Sequence, residues 1–386
     1  MHDHLRQYID DRSELQDVEW TLMVRSPGRI NIIGEHIDYT GGMVMPASID
    51  RGIDFVVRKL HLPEWRLHAV DLGASYTLPL PLEAGRSGKL WVDYLKGIGV
   101  QFQDEGQFLP GLEVVFGGDL PPGSGMSSSA ALEGGMAFVL NELLNAKMSR
   151  PALAELCQRS SNTFLGIPTG IMDQYASLNG HRGGPIVINC HTLESEPVKN
   201  SLTGYSFILV NSMVSHDLSD GAYGERVQEC ARALQIIRQS SPEVTHLSGT
   251  TADDLERAAP NLDETALKRA RYVVAENERV NQAITAIEAG SSYELGQLLN
   301  ATHAGLRDAY EVSCPELDFL QEVAAATEGV AGARMMGGGF GGCVLNLVAD
   351  EGADRFRQKI VERYRNAYGI VPEVYPVRLA QGTHLL

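Results

Sequence analysis

Through its first half the chain alternates short apolar runs with polar breaks. The runs "EWTLMVRS", "INII", "IDFVVRKL", "LEVVFGG" and "GPIVINC" are rich in β-branched and other apolar residues, the pattern of strands. Between them, "SSSAALEGGMAFVLNELLNA" and "SRPALAELCQRSSNTFLG" carry apolar residues at helical spacing. The second half is richer in helix. "GERVQECARALQIIRQ" is amphipathic, and "DETALKRARYVVAENERVNQAITAIEAG" predicts one long helix opened by Asp263 and closed near Gly290. "ELGQLLNATHAGLRDAY" predicts another. Strands and helices do not alternate regularly, so the pattern predicts an α+β fold rather than a doubly wound parallel sheet. A polar stretch over 190–206, ahead of "FILVNS", divides the chain into an N-terminal domain, 1–195, and a C-terminal domain, 196–386.

A length of 386 residues accommodates two domains. The net charge of −17 argues against nucleic acid or an anionic membrane as partner, because phosphate surfaces need clustered Lys and Arg. It leaves room for a small anionic ligand held by local backbone amides. Cys157, Cys190, Cys230, Cys314 and Cys343 are scattered without a CxxC pair, which predicts neither a zinc site nor a disulfide framework. The N-terminus is polar and acidic, and no apolar run approaches the ~20 residues of a membrane span. A reduced, cytoplasmic setting is expected.

Four stretches carry candidate chemistry. In "SPGRINIIGEHIDYTGG", Glu35, His36 and Asp38 crowd into four positions downstream of Arg29. Such groups suit sugar hydroxyls, each of which both donates and accepts, and Arg29 suits charge on a transferring phosphoryl group. The same residues also read as a salt-bridged turn. In "DLPPGSGMSSSAALEGG", two prolines stop a strand, and Gly123 and Gly125 lead through Ser127, Ser128 and Ser129 into an apolar helix. A glycine loop feeding a helix N-terminus is an anion site, although a plain capped helix reads equally well from a glycine–serine run alone. The spacing is not that of a Walker A loop, and no lysine follows. In "GIPTGIMDQYAS", Asp173 sits among apolar residues, placed to accept a hydroxyl proton, to cap a helix or to pair with an arginine. The run "MMGGGFGGC" permits close backbone approach to a ligand, or forms a hairpin.

Taken together and in order, these stretches resemble the GHMP superfamily of small-molecule kinases, and within it the galactokinases. "PGRINIIGEHIDYTGG" resembles the sugar signature, "PPGSGMSSSAALE" the ATP-binding motif and "MMGGGFGGCVLNLV" the C-terminal glycine motif. "GIMDQ", "RARYVVAENERV" and "LRDAYEVSCPELDFL" extend the likeness over about Val24 to Val348. The resemblance implies a two-domain fold, with an N-terminal domain like ribosomal protein S5 domain 2, a ferredoxin-like C-terminal domain and the active site between them. It implies MgATP-dependent phosphorylation of a sugar, galactose, at its anomeric hydroxyl. Asp173 and Arg29 would be catalytic, and Glu35, His36, Asp38 and Tyr223 would hold the sugar. Gly123, Ser124, Gly125, Met126, Ser127, Ser128 and Ser129 would hold ATP. The protein would act as a monomer or weak homo-oligomer. The alternatives are a kinase of the same family for another monosaccharide, and a non-catalytic sensor of sugar and ATP.

The chain departs from the family pattern at three places. Gly224 and Val227 replace an Asn and one Arg beside Tyr223, and Ile37 and Thr40 replace Thr and Asn in the signature. These changes are expected to border the sugar pocket. Ser161 stands where the family carries an acidic residue associated with Mg²⁺, so the metal is expected to rest more on Ser129 and Asp173, or to use water.

Overall fold

The computed structural model describes residues 1–16, 18–121, 123–215 and 219–386. Pro122, the second proline of the glycine–serine motif, lies outside them. In chain order the strands are β1 (Leu22–Ile33), β2 (Met43–Leu60), β3 (Glu64–Ala69), β4 (Ala74–Pro79), β5 (Gly111–Gly118), β6 (Ile186–Asn189), β7 (Ser195–Pro197), β8 (Tyr205–Ser215), β9 (Val330–Met336), β10 (Gly341–Ala349), β11 (Glu373–Val377) and β12 (His384–Leu385).

Two sheets organise the molecule. The larger has the order β12-β1-β2-β5-β3-β4, with β6 pairing β2 and β7 pairing β6. Only its β3–β5 pair is parallel among the described strands. The smaller, β11-β8-β10-β9, is antiparallel throughout. The chain does not leave the first sheet for good at the polar stretch, because β12 returns after the second sheet is complete and pairs Val24 with Leu385.

"EWTLMVRS" and "INII" are not separate strands. β1 runs through both, with a register shift against β2 between Pro27 and Arg29. Gly28 sits at that shift, where a Cβ would lie 2.6 Å from the Met126 carbonyl oxygen. Only glycine lets the glycine–serine loop lie against the strand, and Arg29 N donates to Met126 O across the contact.

The helix Ser128–Leu144 is buried along most of its length and packs on β1 and β2. Its lack of a polar face marks it as a core helix. The helix Glu264–Glu288 starts as its sequence predicts, with the Asp263 side chain accepting from Ala266 N. Its buried Glu276 accepts from the Gly34 and Glu35 backbone amides, and Tyr272 OH donates to Glu35 O. These bonds tie the end of β1 to the helical half. The hairpin β9–β10 carries the C-terminal glycine run at its turn.

Candidate active site

Two cavities meet between the sheets. The larger, ≈950 Å³, is lined by all seven glycine–serine loop residues, Gly123 to Ser129. Ser127 precedes the helix Ser128–Leu144 with φ 58°, a left-handed conformation that a serine adopts at a cost. That turn sets the loop over the positive end of the helix, where free amides and the dipole favour an anion. Beyond the loop the wall becomes apolar: Leu72, Leu90, Trp91, Tyr94, Phe116 and Leu132. The Ser129 hydroxyl is hydrogen-bonded to Tyr94. Loop and wall together suit a flat base at one end and phosphates at the other.

Arg29 and Asp173 line both cavities, as do Gly337 and Gly338. Arg29 grips Asp173 side-on, Nε and Nη2 each 2.8 Å from a carboxylate oxygen, and donates its Nη1 to Gly125 O. The Ser127 hydroxyl donates to Asp173 Oδ2. One carboxylate thus joins the signature strand, the phosphate loop and the helix Met172–Asn179. The arginine-paired reading of Asp173 and the catalytic one are compatible in this arrangement.

The smaller cavity, ≈170 Å³, is lined by Glu35, His36, Asp38 and Tyr223 together with Arg29 and Asp173. Glu35 is fixed by the fully buried Arg334, whose Nη1 lies 2.5 Å from Oε2, and by Asn31 Nδ2 at 3.2 Å. Burial pushes Asp38 up to about 7, with the neighbouring Asp173 charge adding to the effect. Gly170 makes room for it, since a Cβ there would fall 1.6 Å from Asp38 Oδ2. Burial lowers His36 to about 4, so its ring is neutral at physiological pH. Both of its nitrogens are engaged by the protein: Nδ1 lies 3.0 Å from Tyr39 OH and Nε2 3.2 Å from Gly338 O. Tyr223 lies against His36, ring centroids 5.5 Å apart, and burial holds its phenol well above the usual range.

The departures from the family pattern do not touch this cavity. Ile37 is fully buried, and Thr40 turns away, its Oγ1 donating to Ile37 O and bonding Ser248 Oγ at 2.7 Å. Val227 and Thr40 line an adjoining cavity of ≈530 Å³, and Gly224 lines neither. None of the four lines the cavity of Glu35, His36, Asp38 and Tyr223; Thr40 and Val227 lie one step away, in a cavity that shares Asp38 with it. Ser161 also points away from both cavities, its Oγ donating to Glu133 Oε1 at 2.7 Å. Gln174 Nε2 reaches the other Glu133 oxygen at 3.3 Å, and burial pushes this acid up to about 8. Among the described residues no group of three or more His, Cys, Asp or Glu is arranged to hold a metal ion, and no helix is long and apolar enough to cross a membrane. Sequence reasoning missed Arg334, Trp91 and Tyr94, which belong to no quoted motif, and Glu133, which closes the glycine–serine motif but was given no role.

The chain matches the GHMP kinases N terminal domain over residues 93–181 and the GHMP kinases C terminal domain over 283–366. It is a kinase of the GHMP class. Residues 13–59 match the galactokinase galactose-binding signature. A galactokinase of Glaesserella parasuis is 36% identical over 372 residues, covering 94% of each chain, and one of Clostridium beijerinckii is 36% identical over 362 residues, covering 93% of each. The crystal structure of Lactococcus lactis galactokinase complexed with galactose superposes with a TM-score of 0.93 at 35% identity, covering 99% of this chain and 100% of that one. Mevalonate kinase of Methanococcus jannaschii, at 16% identity and a TM-score of 0.68 over 94% of this chain and 99% of its own, shares the fold. The chain belongs to the galactokinase family, and it is a sugar kinase.

Proposed function

We propose that the protein transfers the γ-phosphoryl group of ATP to the anomeric hydroxyl of galactose, giving galactose 1-phosphate and ADP. The observation that carries this reading is the meeting of a phosphate-loop cavity and a small polar cavity at the Arg29–Asp173 pair. ATP use follows from family membership, and the galactokinase relative bound to galactose supports the choice of sugar.

ATP would lie in the larger cavity, its base against Trp91, Tyr94 and Phe116 and its phosphates under the Gly123–Ser129 loop. The sugar would lie in the smaller one, held by Glu35, Asp38 and Tyr223, with His36 forming a wall. Asp173 orients the anomeric hydroxyl and takes its proton as the new O–P bond forms. The bond from Pγ to the β,γ-bridging oxygen breaks, and ADP leaves with that electron pair. Arg29 balances the charge that builds on the phosphoryl oxygens. Mg²⁺ suits this donor set, because that ion uses one or two protein oxygens together with substrate phosphates and water. Ser129 and Asp173 would hold it, and it would supply charge neutralisation along the phosphates.

A coupled ADP-release assay across a panel of monosaccharides tests the reading. Turnover with galactose above the other sugars is expected. Turnover with another sugar and none with galactose would overturn it.

A further inference from the structure

The two nitrogens of His36 have fixed roles. A carbonyl only accepts, so the bond to Gly338 O requires the proton on Nε2. Nδ1 of the neutral ring then accepts, and Tyr39 OH, 3.0 Å away, is its donor. With its own proton committed, the Tyr39 oxygen accepts from Tyr310 OH at 2.7 Å. The Tyr310 oxygen accepts in turn from the Cys230 thiol at 3.1 Å. One direction satisfies every bond: Cys230 S–H to Tyr310, Tyr310 O–H to Tyr39, Tyr39 O–H to His36 Nδ1, and His36 Nε2–H to the Gly338 carbonyl. Burial holds both phenols and the thiol above their usual ranges, so each keeps the proton this direction needs.

The chain is held on both sides. The Tyr310 carbonyl accepts from Arg226 Nε at 2.8 Å. At the other end Gly338 belongs to the β9–β10 turn and lines both cavities. His36 itself has φ 61°, a strained backbone that the ring's bonds help to hold.

We propose that Tyr39 and Tyr310 are positioning residues: their directed hydrogen-bond chain fixes His36 as its Nε2–H tautomer and so docks the Gly337–Gly338 turn as the wall shared by the sugar and nucleotide cavities. This rests on the sugar-kinase reading of those cavities, but its first test does not depend on turnover. Long-range ¹H–¹⁵N spectra of the histidine-labelled protein at pH 7 should show His36 protonated at Nε2 and bare at Nδ1. Tyr39→Phe removes the donor to Nδ1. A second tautomer should then be populated, and the KM values for sugar and ATP should both rise about tenfold, the scale of one lost hydrogen bond, with kcat within about twofold. Tyr310→Phe, which leaves the Tyr39 hydroxyl in place, should shift both readouts the same way by less and gives a second route if Tyr39→Phe does not fold. An Nδ1–H tautomer in the unmodified protein would overturn the proposal, as would variants with unchanged spectra and KM values. A protein that releases no ADP but shows the expected tautomer would overturn the kinase reading and leave the chain standing.

Discussion

Arg29 and Asp173, 144 positions apart in sequence, meet side-on with two parallel 2.8 Å bonds at the point where the two cavities join. A bidentate pair of this kind fixes direction as well as distance, so the carboxylate cannot swing away from an incoming hydroxyl. Asp173→Asn keeps the shape and removes the charge. Sugar affinity measured by calorimetry should stay within a few-fold of the unmodified protein, while kcat falls ~10²–10⁴-fold. Near-normal turnover would remove Asp173 from the chemistry.

Asp38 shares the smaller cavity with Asp173, and burial pushes it up to about 7. Ionised, it accepts hydroxyl protons at both oxygens with charge assistance; protonated, one oxygen becomes a donor and the charge is lost. The KM for galactose should therefore fall as pH rises through about 7, and Asp38→Asn should raise KM and flatten that part of the profile. A wild-type KM that stays constant from pH 6 to 8 would contradict this role.

Arg334 and Glu35 form a pair in which neither partner meets solvent appreciably. Arg334 also donates to the Ile32 and Asn31 carbonyls, so one side chain fastens β9 to the end of β1. Arg334→Met leaves a buried carboxylate without its cation, and urea unfolding should register a loss of about 3–5 kcal/mol. Adding Glu35→Gln should restore part of it. Equal stabilities of the single and double variants would show that the charge is not what the arginine satisfies.

Glu133 is a buried acid held by Ser161 and Gln174 and pushed up to about 8 by its burial. The unfolded chain gives up this proton near pH 4.5, the folded chain only near 8. Between those values the unfolded state binds fewer protons, so this group's contribution falls as pH rises. Glu133→Gln, already neutral, should leave stability nearly unchanged at pH 4 and raise it by on the order of 4 kcal/mol at pH 8. Thermal unfolding at the two pH values measures the difference, and an equal shift at both would exclude a titrating Glu133.

The parts legible in sequence were contiguous. The phosphate loop, the Glu35–Asp38 turn and Asp173 each lie within one short run whose residue types match one chemistry, and the structure brings all three runs together. Single residues contributed by distant elements were not legible. Arg334 stands beside a glycine run that draws the eye, and its partner lies 299 positions away. Trp91 and Tyr94 sit on a helix that ordinary core patterning would also produce. Direction was hidden as well. Ile37 and Thr40 are neighbours of cavity-lining residues in sequence, yet the short 3₁₀ turn at Asp38–Thr40 sends them toward the interior and Ser248. Nor does polar composition around 190–206 announce that β12 will rejoin the first sheet, because strand return is a matter of topology.

The identity of the product tests the central claim most directly. The protein incubated with ATP, Mg²⁺ and galactose should give a ³¹P resonance coupled to the anomeric proton of the sugar, with one ADP formed for each sugar phosphate. A phosphorus signal coupled to any other ring or exocyclic proton, or ADP released without a sugar phosphate, would contradict transfer across the Arg29–Asp173 pair to the anomeric hydroxyl.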